Sequence, residues 1–583
     1  METTTRTMRS GLVGRQGRLV AARRDRVLGR PRSFAPPNHP QNKWVVCRAP
    51  PTRPELLPPR AASGNGASAS GGLPSDPENG VTSSSETSTF VSRQLSVLRA
   101  KASYFLPMCL LFFFMAFNNT IFDSTKDTIL ITAIGGAEQI PFVTLYAVLP
   151  ASCLFLFLFS VASKRYSRRR VFNWTVCLFM SFFALFAYVL YPNRDYLHSD
   201  ALAAWAGGAL PQGLQALGHV VHQWTFTLFY VLSELWGDVI LSLNFWVLAN
   251  ETTDHKDAIV LYPLFGLGAN VAQFASGQIL RNVRRFSGEM TYGSQLKFLV
   301  NLTIVVAVGI LALHHWLDLK FVRPKLAAKR RQEELEREEA ASGGAASEPE
   351  PKKSFWENAK VLISSPALQC LAAIALAQGI TTNLVEVAWK ASLREKFSDP
   401  RLYSQFMGSV SSALGLCTGV AMVVSPTIFL KCTWRQVASV NPNLMLWGGL
   451  AFFLAMIFGS PQIQGGIILG GTALYIFGRA SKFSLLKPAE EMVYITLDDN
   501  ARRSGKAAID VVGSQMGKSL SSLMQQVFLI FGQGKIQRTY PMMAVLLVAV
   551  GTVWIKAVGR LAGLGLVKDA REAPQVEAPK AAQ

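Results

Sequence analysis

At 583 residues the chain far exceeds one compact globular domain, and half of it is apolar despite a long polar head. A formal net charge of +21 would suit a soluble nucleic-acid binder, but residues 1–60 alone hold 12 Arg and one Lys against three acids. The rest gathers into apolar stretches of about 18 to 25 residues, the length that crosses a hydrocarbon core of about 30 Å as helix, so the partner is a lipid bilayer and not nucleic acid.

Residues 1–85 are rich in Arg, Ser, Pro and Gly and contain no apolar run long enough to fold or to act as a secretory core. They read as a transit peptide, with a disordered basic tail as the plainer alternative, and composition does not separate a mitochondrial from a plastid address. Apolar content then predicts twelve spans at roughly 105–122, 141–161, 171–191, 224–248, 258–280, 297–316, 361–388, 406–430, 443–460, 464–486, 508–531 and 540–560. A charged loop over 317–357, containing KRRQEELEREEAASGGAASEPEPKK, divides them into halves at 100–316 and 358–562, followed by a polar tail at 563–583.

Lys/Arg-rich loops remain on the side from which insertion occurs. The even loops carry KRYSRRR at 164–170, the central charged segment, KCTWR at 431–435 and DDNARRSGK at 498–506. The odd loops, such as GGAEQ at 135–139, are poorer in charge, so both termini are expected to face the organelle interior; RNVRR at 281–285 argues the other way.

An internal repeat supports duplicated halves. NNTIFDSTKDTIL at 118–130 matches TTNLVEVAWKASL at 381–393, each placing a carboxylate (Asp123, Glu386) and then a Lys (Lys126, Lys390) at the end of the first helix of a half. ANETTDHKDAI at 249–259 matches DDNARRSGKAAI at 498–509, bringing Lys256 and Lys506 into register. The predicted fold is an all-α membrane protein of two six-helix halves, major-facilitator-like, with its site between the halves.

Ionisable groups within spans are expensive in hydrocarbon and usually face a cavity or a partner. Glu234 and Asp238 lie four apart on span four, Glu386 and Lys390 four apart on span seven, and Lys126 and Asp127 near the end of span one. Lys482, Lys487, Glu490 and Glu491 close span ten, and Lys506 and Asp510 open span eleven. Each has two readings: an ion pair that holds the bundle together, or a group that serves substrate. As a set, lysines from both halves suit a polyanionic solute, and Glu234 and Glu386 would neutralise them in the empty carrier until phosphate displaces them. Asn270 in LFGLGAN has the same two readings, helix packing or a hydrogen bond to substrate.

GSQMGKS at 513–519 is one residue short of a phosphate-binding loop and starts inside an apolar helix, so ATP hydrolysis is not expected. The seven cysteines include Cys109, Cys153, Cys177, Cys370 and Cys417 within apolar stretches and form no C-x-x-C pair. No metal or cofactor is called for. Trp236, Trp246 and Trp389 are candidates for stacking on a base, with core packing the plainer role.

STKDTIL, SELWGD, NFW-x-x-ANE, YPLFGLGAN, NLVEVAWK, LLKPAEEMVYITLD and GKAAIDVVG together resemble the plastid and parasite ATP/ADP translocase family over about residues 100–560. The resemblance implies an antiporter, not an enzyme, exchanging ATP for ADP, with phosphate as a possible companion of ADP, across a plastid inner envelope by alternating access. It also implies that Lys126, Glu234, Glu386 and Lys506 matter for transport and that Asn270 contacts substrate; Lys390 and Lys487 complete the expected binding set. Some relatives move NAD or other nucleotides or couple to protons, so those substrates remain open.

Overall fold

The computed structural model describes residues 82–199, 201, 204, 208, 210–253, 255–287, 291–341, 365–497, 509 and 515–567. The expected transit segment lies almost wholly outside the described residues. So do Lys506, Asp510 and most of the 498–514 segment, together with the 342–364 part of the central loop and the tail from 568.

Among the described residues the regular structure is helical, as hydrocarbon requires when every backbone N–H and C=O must find an internal partner. Twelve long helices follow in chain order. The first half comprises α1 (Thr82–Thr132), α2 (Gly136–Arg165), α3 (Arg168–Leu190), α4 (Trp224–Thr252), α5 (His255–Ser287) and α6 (Tyr292–Leu317). The helix of α6 continues through 318–322 into the charged segment Arg323–Ala341. The second half comprises α7 (Pro366–Lys396), α8 (Pro400–Lys431), α9 (Trp434–Phe458), α10 (464–496), α11 (Gly517–Phe531) and α12 (Ile536–Gly563). Among the described residues nine helices, all but α5, α10 and α11, contain a stretch long and apolar enough to span a bilayer.

Three expected boundaries change. Span one does not stop near residue 122: the polar run through Lys126 continues α1 to Thr132 because Asn118, Thr125, Lys126, Asp127 and Thr128 are buried. For the same reason α10 runs past residue 486 to 496. RNVRR at 281–285 is helical backbone near the end of α5 and not a loop, but its charges still flank that end of the span. Hydropathy marks where side chains are apolar, whereas a helix continues wherever other helices meet its polar side chains.

The halves touch most closely where α5 crosses α8. An added Cβ on Gly277 would stand 2.5 Å from both the backbone N and the hydroxyl of Ser412, and one on Gly415 would stand 2.6 Å from the carbonyl of Asn270. Small residues thus let helices from opposite halves approach to backbone contact. Gly277→Val should therefore force the halves apart, lowering the melting temperature and the yield of folded protein in detergent more than Gly466→Val, whose added Cβ meets open space.

The end bearing the α1–α2, α7–α8 and α11–α12 turns is closed. Arg394 of α7 donates to the Ala133 carbonyl at 3.0 Å and stands 3.9 Å from Glu138, reaching across to the α1–α2 turn. Gly135 and Gly136 in that turn have φ of 95° and 60°, and a Cβ on Gly136 would collide with the Arg394 guanidinium. On the other side, Gln526 of α11 donates to the Pro141 carbonyl at 3.1 Å and accepts from Tyr146 at 2.9 Å.

Candidate substrate site

Behind this closed end lies a layer of charge built by α1, α4, α7, α10 and α11. Lys126 and Lys390 each stand six residues from the closed end of their helix, about 9 Å of rise. Lys126 is 3% exposed; it ion-pairs with Asp123 on its own helix and with Glu234 of α4 at 3.0 Å, and its ammonium lies 5.1 Å from the centre of the Tyr230 ring. Lys390 is 5% exposed and pairs with Glu386 one turn earlier at 2.8 Å and with Asp127 of the other half at 2.7 Å. Arg479 of α10 donates to the second oxygen of Glu386 at 3.1 Å while its guanidinium rests 4.6 Å from the centre of the Tyr475 ring. Lys518 of α11 reaches to 3.8 Å from Glu234, and Gln515 donates to Asp238 at 3.0 Å.

The arrangement is pseudo-symmetric, with the charge reversed at the equivalent positions Glu234 of α4 and Arg479 of α10. Lys126 on α1 pairs with Glu234 on α4, and in the second half Glu386 on α7 pairs with Arg479 on α10. The same sequence separation relates Tyr230 to Tyr475, Glu234 to Arg479, and Gly237 to Lys482, and at these last two residues α4 and α10 each pass into π-helix. Such wide turns widen the helix and re-aim side chains, and they recur at functional sites. The repeat register needs one correction: Lys126 and Lys390 are not equivalent positions. With Asp123 matched to Glu386, Asp127 falls on Lys390, and these two equivalent positions meet directly across the halves.

Among the described residues the layer is nearly neutral. Lys126, Lys390, Arg479 and Lys518 face Asp123, Asp127, Glu234 and Glu386, so each buried cation has a carboxylate and the burial of charge is compensated. It is also unsaturated: Asp127 Oδ1 is buried without a hydrogen-bond partner among the described residues. Asp123 and Lys518 are 45% and 48% exposed, so the layer has an accessible side. An anion entering there can take over the cations while the displaced carboxylates regroup, which is chemistry suited to phosphate.

Of the expected binding residues, Lys126, Glu234, Glu386 and Lys390 are brought together. Lys487 lies farther along α10, bonded to Glu490 at 2.8 Å. Asn270 faces α8, its amide 3.1 Å from the Met422 sulfur, within the helix crossing. Trp236 and Trp389 are fully buried, the latter stacked on Tyr475 at 4.5 Å and donating to Thr472 at 3.1 Å, while Trp246 packs on Phe112, Phe245 and Tyr262. Sequence reasoning missed Arg479 and Lys518. Arg479 interrupts the apolar run GGTALYIFGRAS, an available signal; Lys518 belongs to GKS, the segment set aside as a false phosphate loop, and its described part is helical.

Residues 81–563 match the TLC ATP/ADP transporter family. The chain belongs to this family. It is 36% identical over 473 residues to ADP,ATP carrier protein 1, chloroplastic, of Arabidopsis thaliana, covering 79% of this chain and 73% of that one. It is likewise 36% identical over 490 residues to ADP,ATP carrier protein 1 of Chlamydia trachomatis, covering 80% and 89%. A bacterial homologue of the iron transporter ferroportin, solved in an inward-facing state, shares the fold at 14% identity and a TM-score of 0.50, covering 79% of this chain and 99% of that one. The protein is therefore a multi-pass membrane transporter sharing that fold, not an enzyme, and the Lys126–Glu234 and Glu386–Arg479 pairs stand at the meeting of its two halves.

Proposed function

We propose that this transporter exchanges ATP for ADP by alternating access, with the charge layer as the polyphosphate site. The observation that carries the reading is the buried, charge-balanced layer whose Asp127–Lys390 pair bridges the halves at 2.7 Å. A polyphosphate of three or four negative charges repays the separation of that pair only by occupying cations from both halves at once, which couples binding to their rearrangement. Strict exchange follows if the empty carrier, held by its own ion pairs, reorients far more slowly than the loaded one. The named functions of the Arabidopsis and Chlamydia relatives support the same substrates.

The membrane is proposed to be the plastid inner envelope with both termini in the stroma, a reading supported by the chloroplastic relatives and by the Arg-rich head. The proposed organisation places a transit segment before residue 86 and the charged 317–357 segment between the halves. Proteoliposomes carrying the full chain and preloaded with ADP should take up labelled ATP, whereas vesicles preloaded with GDP or with nothing should not. Uptake independent of preload would sink the exchange mechanism, and labelled phosphate supplied with ADP decides whether phosphate travels too.

A further inference from the structure

Among the described residues one cation of the site stands outside the charge balance. Lys482, one turn beyond Arg479 on α10 and at the first residue of its π-helical segment, is half-buried. No described carboxylate lies within ion-pairing distance of it, and its ammonium lies 5.6 Å from the centre of the neighbouring Phe483 ring. The charged groups in its field are mainly cations: Lys487, Arg479 and Lys518, with Glu490 the acid, itself bonded to Lys487. Arg479 leans on Glu386 and Lys518 on Glu234, so Lys482 is the member of this group whose charge the surrounding carboxylates leave uncompensated.

A half-buried ammonium among like charges opposes folding, so an anion bound beside Lys482 would relieve that repulsion. The wide turn that begins at Lys482 has its counterpart at Gly237 in the other half, where no charge is carried. The subsite therefore belongs to one half only, as expected for a linear polyanion lying across a pseudo-symmetric cavity.

We propose that Lys482, assisted by Lys518, forms an anion subsite for the additional phosphate of a nucleoside triphosphate and so sets the preference between tri- and diphosphate. The proposal rests on the nucleotide-exchange reading for the identity of the ligand, but Lys126, Lys390 and Arg479, already shared with carboxylates, serve the phosphates that ATP and ADP have in common. Lys482 needs no carboxylate displaced, so its contribution falls on the ligand with one more charge.

The test is Lys482→Gln, with Lys482→Arg as the charge-preserving control, in the full chain. In proteoliposomes the Gln variant should raise the apparent KM for ATP about tenfold, the effect of one charge-assisted hydrogen bond, while changing that for ADP less than about threefold, and Arg should restore the ATP value. The empty Gln variant should melt no lower than the parent, because a lone charge is removed. In detergent, inorganic tripolyphosphate should stabilise the parent against heat and protect the Gln variant much less. Equal losses for ATP and ADP, or unchanged tripolyphosphate protection, would overturn the subsite. Tripolyphosphate protection that depends on Lys482 in a protein that exchanges no adenine nucleotide would keep the subsite and reject the functional reading.

Discussion

Lys390→Met should abolish exchange and destabilise the fold, whereas Asp127→Asn combined with Lys390→Met should recover much of the stability but none of the transport. Lys390 is 5% exposed and sits between Glu386 at 2.8 Å and Asp127 at 2.7 Å. Removing it strands the Asp127 carboxylate, 4% exposed and with its second oxygen already unpartnered among the described residues. Breaking one side of a buried pair costs about 3–5 kcal/mol, because the remaining charge is uncompensated, while neutralising both sides is far milder. Thermal melting in detergent reads the first effect and labelled ATP uptake the second. If the double variant transports at the parental rate, Asp127–Lys390 is a structural strut and the site lies elsewhere.

Arg479→Met is expected to separate function from folding. Its partner Glu386 keeps Lys390, so no carboxylate is stranded, and the melting temperature should move little. Phosphate binding, however, loses a guanidinium whose several N–H donors suit phosphate oxygens, worth about 3 kcal/mol or roughly 100-fold in exchange at low nucleotide concentration. Arg479→Lys should recover only part of that loss, since an ammonium lacks the planar fork. Exchange within about twofold of the parent in Arg479→Met, well inside one RT of free energy, would remove Arg479 from the binding set.

The two substitutions also separate the roles that charged residues play in the two halves. Glu234 and Arg479 occupy equivalent positions with opposite charge, whereas Lys126 and Glu386 do not, Asp123 being the counterpart of Glu386, so the cations do not stand at matching places. A site with true two-fold symmetry would present the same charge to both ends of its ligand. This one presents its uncompensated cation on α10, which suits a ligand with a charged and an uncharged end.

Much of this protein could be read before any coordinates. A helical membrane transporter follows from the length of the apolar runs, though only nine of the twelve expected spans are helices long and apolar enough to cross a bilayer among the described residues. The expectation of two halves and a polyanionic solute comes from the repeat and from lysines kept inside spans where hydrocarbon penalises them. Lys126, Glu234, Glu386 and Lys390 were recognisable for that reason: a charge is conspicuous against an apolar background. Partnership was not. That Lys390 bonds Asp127 of the other half, that Arg479 takes the second oxygen of Glu386, and that Lys518 reaches Glu234 depend on how α1, α4, α7, α10 and α11 lie beside one another. Asn270, equally polar and equally visible, lies instead against α8 at the helix crossing. Sequence by itself determined which charges must be neutralised, because burial in a bilayer is a property of each segment; only the tertiary structure decided by whom, because an ion pair depends on distances between segments far apart in the chain.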